Sequence, residues 1–146
     1  MKRCYYLTLL LVPALLPIVG CAHAARDTAG FQMVDSETFE APFMDTWQAT
    51  KGVLREMDLH LYTRDKRGVF VAYTPMKRKL KLFTPKRTKY TITVEELPGS
   101  STRVNIETVD QVYGVTPLTY PDWHDRKTAD NKDALAILEA LRAKLS

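Results

Sequence analysis

The chain has 146 residues, of which 45% are hydrophobic and 26% charged, with a formal net charge of +4; that length suits one ordinary domain whose core needs no covalent staples. Its two cysteines are Cys4 and Cys21, and Cys4 lies in a removable leader, so a disulfide framework is excluded. Lys2 and Arg3 supply two of the four net charges, which leaves the remainder of the chain only mildly basic and gives no global signal of a nucleic-acid or membrane-surface binder.

Residues 1–20 read as a secretory signal. Lys2 and Arg3 form a positive start, and Tyr5 to Val19 carry no charge. The run is shorter than the roughly 20 apolar residues of a spanning helix, and Pro13 and Pro17 interrupt it. Two cuts compete in the stretch PIVGCAHAA at residues 17–25. Ile18-Val19-Gly20-Cys21 resembles the lipobox of bacterial lipoproteins, which implies that Cys21 becomes the lipidated N-terminus. Each buried lipid CH₂ contributes about 0.8 kcal/mol, so two or more acyl chains anchor stably. Cleavage after Ala22-His23-Ala24 would instead discard the cysteine and release a soluble protein. Ala22, where an Asp would retain the protein at the inner membrane, implies by resemblance to enterobacterial sorting an outer-membrane lipoprotein facing the periplasm.

Residues 21–36 are small and polar around Gly30 and read as a flexible tether, followed by a single α+β domain over residues 37–146. Glu37 to Ala41 suggest a short strand. Asp45 and Gln48 have capping-box spacing, and Trp47, Leu54 and Met57 recur near the helical period, predicting a helix from Thr46 to Met57. Leu59 and Leu61 alternate with His60 and Tyr62, the polar run 64–68 turns the chain, and Val69 to Tyr73 is rich in β-formers, which predicts a hairpin. Lys79 to Phe83 and Tyr90 to Glu95 alternate at period two. Pro98 to Ser101 marks a turn before a strand that runs from Val104 towards Val112. Ala134, Ile137, Leu138, Leu141 and Leu145 form the apolar stripe of a last helix, with Asp130 or Asn131 to cap it. The order predicts an antiparallel sheet of four to five strands with two helices on one face. No internal repeat or low-complexity segment occurs.

The stretch DTWQATKGVLREMDLHLYTRDKRGVFVAY, residues 45–73, is similar to the repeated helix-grip domain of the NlpB lipoprotein family, the C component of the outer-membrane β-barrel assembly machinery. The matching features are Trp47, Leu54, the alternating Leu59 and Leu61, Asp65 among basic residues, Gly68, and the strand ending at Tyr73. The resemblance implies a helix-grip-like fold on a lipid anchor. This chain has room for one such domain rather than two, and the family's long docking segment is missing or shrunk to residues 22–36, so a small envelope lipoprotein is the expectation.

Two segments stand out as candidate surfaces. Lys77, Arg78, Lys79, Lys81, Lys86, Arg87 and Lys89 lie in a stretch without an acid; such segments meet anionic headgroups at about 1 kcal/mol per residue, while the plainer alternative is an edge hairpin protected by its lysines. Gly114 to Asp130 reads as a long connection carrying Tyr120, Trp123 and His124 as partner-binding candidates; the plainer alternative is that its aromatics fold back over the core. Trp47 and Leu54 would line a ligand groove if the space between helix and sheet is open, and core packing otherwise. Asp122-Trp123-His124-Asp125 lacks a second ligand cluster and reads as a solvated loop rather than a metal site. No phosphate loop, dinucleotide fingerprint, nucleophile elbow or zinc-protease motif is present, so no enzyme activity, metal or cofactor is expected. Nucleic acid is not an expected partner, because stacking aromatics are not interleaved with the cations. The expected function is a membrane-anchored, protein-binding or envelope-assembly accessory module. The alternative is a periplasmic carrier or sensor with an apolar or anionic small molecule between helix and sheet.

Overall fold

The computed structural model describes residues 28–76, 84–114 and 121–146. The leader, Cys21, Lys77, Arg78, Lys79, Lys81, Tyr120 and the expected strand at 79–83 lie outside these residues. In chain order the elements are β1 (Met33–Phe39), α1 (Phe43–Glu56), β2 (His60–Arg64), β3 (Val69–Tyr73), β4 (Lys86–Leu97), β5 (Ser101–Gly114), β6 (Asp122–Arg126) and α2 (Lys132–Leu145).

The strands form one antiparallel sheet of six, in the order β1-β5-β4-β3-β2, with β6 also paired to β5. β5 is the spine. One side pairs with β4 along its whole length, from Ser101 against Leu97 to Val112 against Lys86. Its other side is shared, Thr102 to Thr108 pairing with β1 and Asp110 to Gly114 with β6.

Alternation divides the sheet into two faces. Phe70 and Ala72, Tyr90, Ile92 and Val94, and Val104 and Ile106 are buried on the inner face, where both helices pack. From α1 come Trp47, Val53 and Leu54, and from α2 Ala134, Ile137, Leu138 and Leu141. Trp47, Leu54 and Leu138 are at most 6% exposed, so the space between α1 and the sheet is filled by side chains. The α+β architecture with both helices on one face is the one expected, with one or two more strands.

Local differences from the expectation have identifiable causes. β1 begins at Met33, so residues 33–36 belong to the sheet and not to a tether. Even Phe31 is tied down, its carbonyl accepting from the Thr128 N–H at 2.9 Å. α1 starts at Phe43 behind Pro42, whose carbonyl accepts the Thr46 N–H at 3.0 Å, and no side chain caps it. The expected capping box of Asp45 and Gln48 falls inside the first turns instead. The other end of α1 closes with Asp58 at φ 55°, its N–H on Arg55 O and that of Leu59 on Leu54 O, a left-handed cap that satisfies two terminal carbonyls. Residues 114–130, read as a connection, contain β6.

Candidate functional site

Among the described residues the outer face of the sheet carries no helix, and its side chains converge on Arg87. Counting from the buried Tyr90 and Ile92, the alternation of β4 sends Arg87 and Lys89 outward. On β3 it sends Tyr73 outward, and the pairing of Tyr113 with Trp123 puts both of these on the same side. The Arg87 guanidinium lies between two rings, its carbon 3.9 Å from the Tyr73 centroid and 3.9 Å from the Trp123 centroid. The row continues at both ends, Tyr62 standing edge-on to Tyr73 at 6.0 Å and Trp123 edge-on to Tyr113 at 5.4 Å.

Beneath the rings a polar relay fixes the guanidinium. Arg87 Nε donates to Gln111 Oε1 at 2.8 Å, and Gln111 Nε2 donates to Asp125 Oδ1 at 2.8 Å. These three residues sit directly opposite one another on β4, β5 and β6, and Gln111 is buried under the row. Each cation–π contact is worth roughly 0.5–1 kcal/mol when exposed and more when desolvated. A pocket of about 410 Å³ opens beside the sandwich, lined chiefly by Leu61, Tyr62, Tyr73, Met76, Arg87 and Trp123. Tyr62 is 80% and Met76 60% exposed.

A second opening lies on the inner face, beyond the start of α2. Lys86, Thr88, Asp110, Arg126 and Asp133 line a cleft of about 450 Å³. Its floor is ordered by carboxylates: Thr88 Oγ1 donates to Asp110 Oδ1 at 2.9 Å, and the Tyr90 hydroxyl donates to Asp133 Oδ2 at 2.9 Å. Burial, and then the Asp133 carboxylate, push the Tyr90 hydroxyl well above the ordinary tyrosine range. Among the described residues no group of three or more His, Cys, Asp or Glu side chains is placed to hold a metal ion.

The residues singled out from sequence are therefore distributed over both faces. Arg87 and Trp123, taken from two different candidate segments, meet in one sandwich. Lys89 lies beside Tyr73 on the outer face, directly paired with it, whereas Lys86 belongs to the inner cleft. Trp123 and His124 do not share a surface, because neighbours in a strand point oppositely. The His124 ring covers Gly114, where a Cβ would come within 2.6 Å of it. Tyr62, Tyr73, Gln111 and Tyr113 were not anticipated. Tyr73 carried a signal, being a large aromatic at an outward position of a strand whose alternate residues, Phe70 and Ala72, are buried.

No protein-family model matches the chain, and no curated protein matches it. Among solved structures it is similar to Ara h 8.0201, at 10% identity over 78% of this chain and 96% of that one, with a TM-score of 0.39. It is also similar to a DUF4468 family protein from Bacteroides ovatus ATCC 8483, at 10% identity over 84% of this chain and 85% of that one, with a TM-score of 0.36.

Proposed function

We propose that this protein is a non-enzymatic binding module of the bacterial cell envelope, lipid-anchored through Cys21 at the outer membrane, which docks a protein partner on the outer face of its sheet. The observation that carries the reading is the row Tyr62, Tyr73, Arg87, Trp123, Tyr113. Tyrosine, tryptophan and arginine dominate the energetics of protein interfaces, and here five of them share a surface that no helix or strand among the described residues covers. The lipobox at residues 18–21 and the similarity of residues 45–73 to a helix-grip lipoprotein domain support the location. The anchor is tested by metabolic labelling with a palmitate analogue: the native protein takes up label, and a Cys21→Ala variant that remained labelled and membrane-bound would sink it. Docking is tested with a photo-crosslinking residue at Tyr62 in intact cells. A discrete crosslinked protein is expected there and not from a control at Glu139, on the exposed side of α2.

The second reading, a carrier or sensor of a small anion, draws on the inner cleft, where Lys86 and Arg126 make no ion pair with a described residue. Binding of inorganic phosphate that disappears in Arg126→Ala would favour it.

A further inference from the structure

We infer that the outer-face patch reads a carboxylate beside an apolar side chain: its occupant is an extended acidic segment of another protein, with an Asp, Glu or C-terminal carboxylate on Arg87 and a neighbouring apolar residue in the adjoining pocket. The inference rests on the docking reading above and names the chemistry of the partner.

Three features converge on it. The rings of Tyr73 and Trp123 each hold their centroid 3.9 Å from the Arg87 guanidinium carbon, and its Nε is committed to Gln111. What remains is the in-plane edge of the two terminal nitrogens, which form no hydrogen bond or ion pair to another described residue. A planar, two-oxygen acceptor of single charge fits that edge. The nearby Asp125 carboxylate accepts from the Gln111 amide through Oδ1, which holds the relay in register, and forms no ion pair with Arg87.

The pocket beside it has the size for one large side chain, about 410 Å³, and its walls are mostly apolar: Leu61, Tyr62, Met76 and Trp123. Lys89 is paired with Tyr73 across the strands and has no carboxylate partner among the described residues, so the patch complements an acidic ligand. A membrane surface is the weaker occupant. Arg87 is half-buried and clamped between rings, which suits a protruding group, whereas a plane of headgroups is met by mobile, fully exposed lysines.

The test uses the full chain purified in detergent and two N-acetylated, C-amidated hexapeptides that differ only in carrying Phe-Asp or Phe-Asn at their centre. Binding is followed through the indole N–H resonance of Trp123. One bidentate pair and one filled pocket should give an affinity near the millimolar range. The Phe-Asp peptide is expected to bind at least about tenfold more tightly than Phe-Asn, a gap of about 1.4 kcal/mol. Arg87→Lys should reduce that preference to about twofold or less, because it keeps charge but loses the planar fork. Tyr62→Ala, at a site too exposed to affect folding, should weaken both peptides alike.

Equal affinity for the two peptides would overturn the inference, as would an unchanged preference in Arg87→Lys, or no saturable binding below about 10 mM. So would Arg87-dependent binding to vesicles of phosphatidylglycerol and phosphatidylethanolamine in place of the peptide. The two levels separate cleanly. A crosslinked partner from Tyr62 together with equal peptide affinities rejects the carboxylate and keeps the docking surface, whereas the absence of any crosslink rejects the surface itself.

Discussion

Gly68 stands at φ +103° at the end of the β2–β3 turn, where a Cβ would come within 2.2 Å of the Val94 carbonyl oxygen. Its own carbonyl accepts the Val94 N–H at 2.7 Å. The turn is held from both sides, since Asp65 Oδ1 accepts the Arg67 N–H at 3.0 Å and the Trp47 indole donates to Asp65 O at 2.9 Å. Trp47, Asp65 and Gly68, three of the residues that carried the family likeness, are thus one structural device that pins helix to hairpin. Gly68→Ala is expected to cost about 2–3 kcal/mol, from positive φ and a backbone clash together, read as a lower urea midpoint. Tyr90 gives a pH prediction with a definite sign. Its hydroxyl titrates higher in the folded chain than in the unfolded one, so the stability it contributes is complete below the ordinary tyrosine value near 10. Above that value it is lost as the unfolded chain ionises first. The melting temperature should therefore fall between pH 9 and about pH 11, and fall less steeply in Tyr90→Phe, which cannot ionise. Equal slopes for the two proteins would contradict this assignment. Residue identity alone could nominate Arg87 and Trp123, but not their meeting. They are 36 positions apart, and only the register through Gln111 brings them together.

Strands were legible where one face is apolar, and illegible where the partners of their inward side chains are polar. Tyr90, Ile92 and Val94 announce β4 because their alternate neighbours are hydrophilic and they themselves are buried. The first half of β1 gives no such signal. Its inward positions are Met33, Asp35, Glu37 and Phe39, and the two acids are met by α2 and the residue before it: Asn131 Nδ2 donates to Asp35 Oδ1 at 2.7 Å, and Arg142 donates to both oxygens of Glu37 at 2.9 and 3.0 Å. That complementarity is a property of two segments about a hundred residues apart, so a reading of residues 33–36 alone returns a polar tether and only Glu37 onward reads as strand. β6 is hidden for a related reason, because Asp122-Trp123-His124-Asp125-Arg126 has little β-propensity and is fixed by its ladder to β5 and by the packing of Trp123. The Asn131–Asp35 bond also makes a prediction. Asp35 Oδ2 is buried without a described partner, so Asn131→Ala would leave the whole carboxylate unpaired. A loss of about 1–3 kcal/mol is expected, and Asp35→Ala should reduce the penalty of Asn131→Ala in a double-mutant cycle. An additive cycle would show that the bond does not join α2 to the sheet.

For the molecule as a whole, the early start of β1 shortens the reach of any anchor at Cys21. From Cys21 to Phe31 the chain can span at most about 35 Å, so under the lipoprotein reading the docking face works close to the membrane. The same strand decides where the folded unit begins. β5 is paired on both sides over nearly its whole length, and it depends on β1 for Thr102 to Thr108. The inner side chains of that stretch, Val104 and Ile106, are fully buried on the helix-bearing face. A chain started at residue 37, the boundary that composition suggests, would lose Met33 to Ser36 and their pairing with Asn105 to Thr108. It would also lose the Phe31 carbonyl that receives Thr128 and the Asp35 carboxylate that receives Asn131. Unpaired backbone would then be exposed along the central strand, beside apolar side chains, which is the arrangement that recruits other chains. A chain started at residue 28 retains every one of these contacts. The expectation is that the chain from 28 melts cooperatively as a discrete species on size exclusion, while the chain from 37 melts at least 10 °C lower or aggregates, since about 2 kcal/mol moves Tm by roughly that much in a domain of this size. Equal melting temperatures for the two would mean that residues 33–36 add nothing to the fold and that the unit begins at the compositional boundary after all.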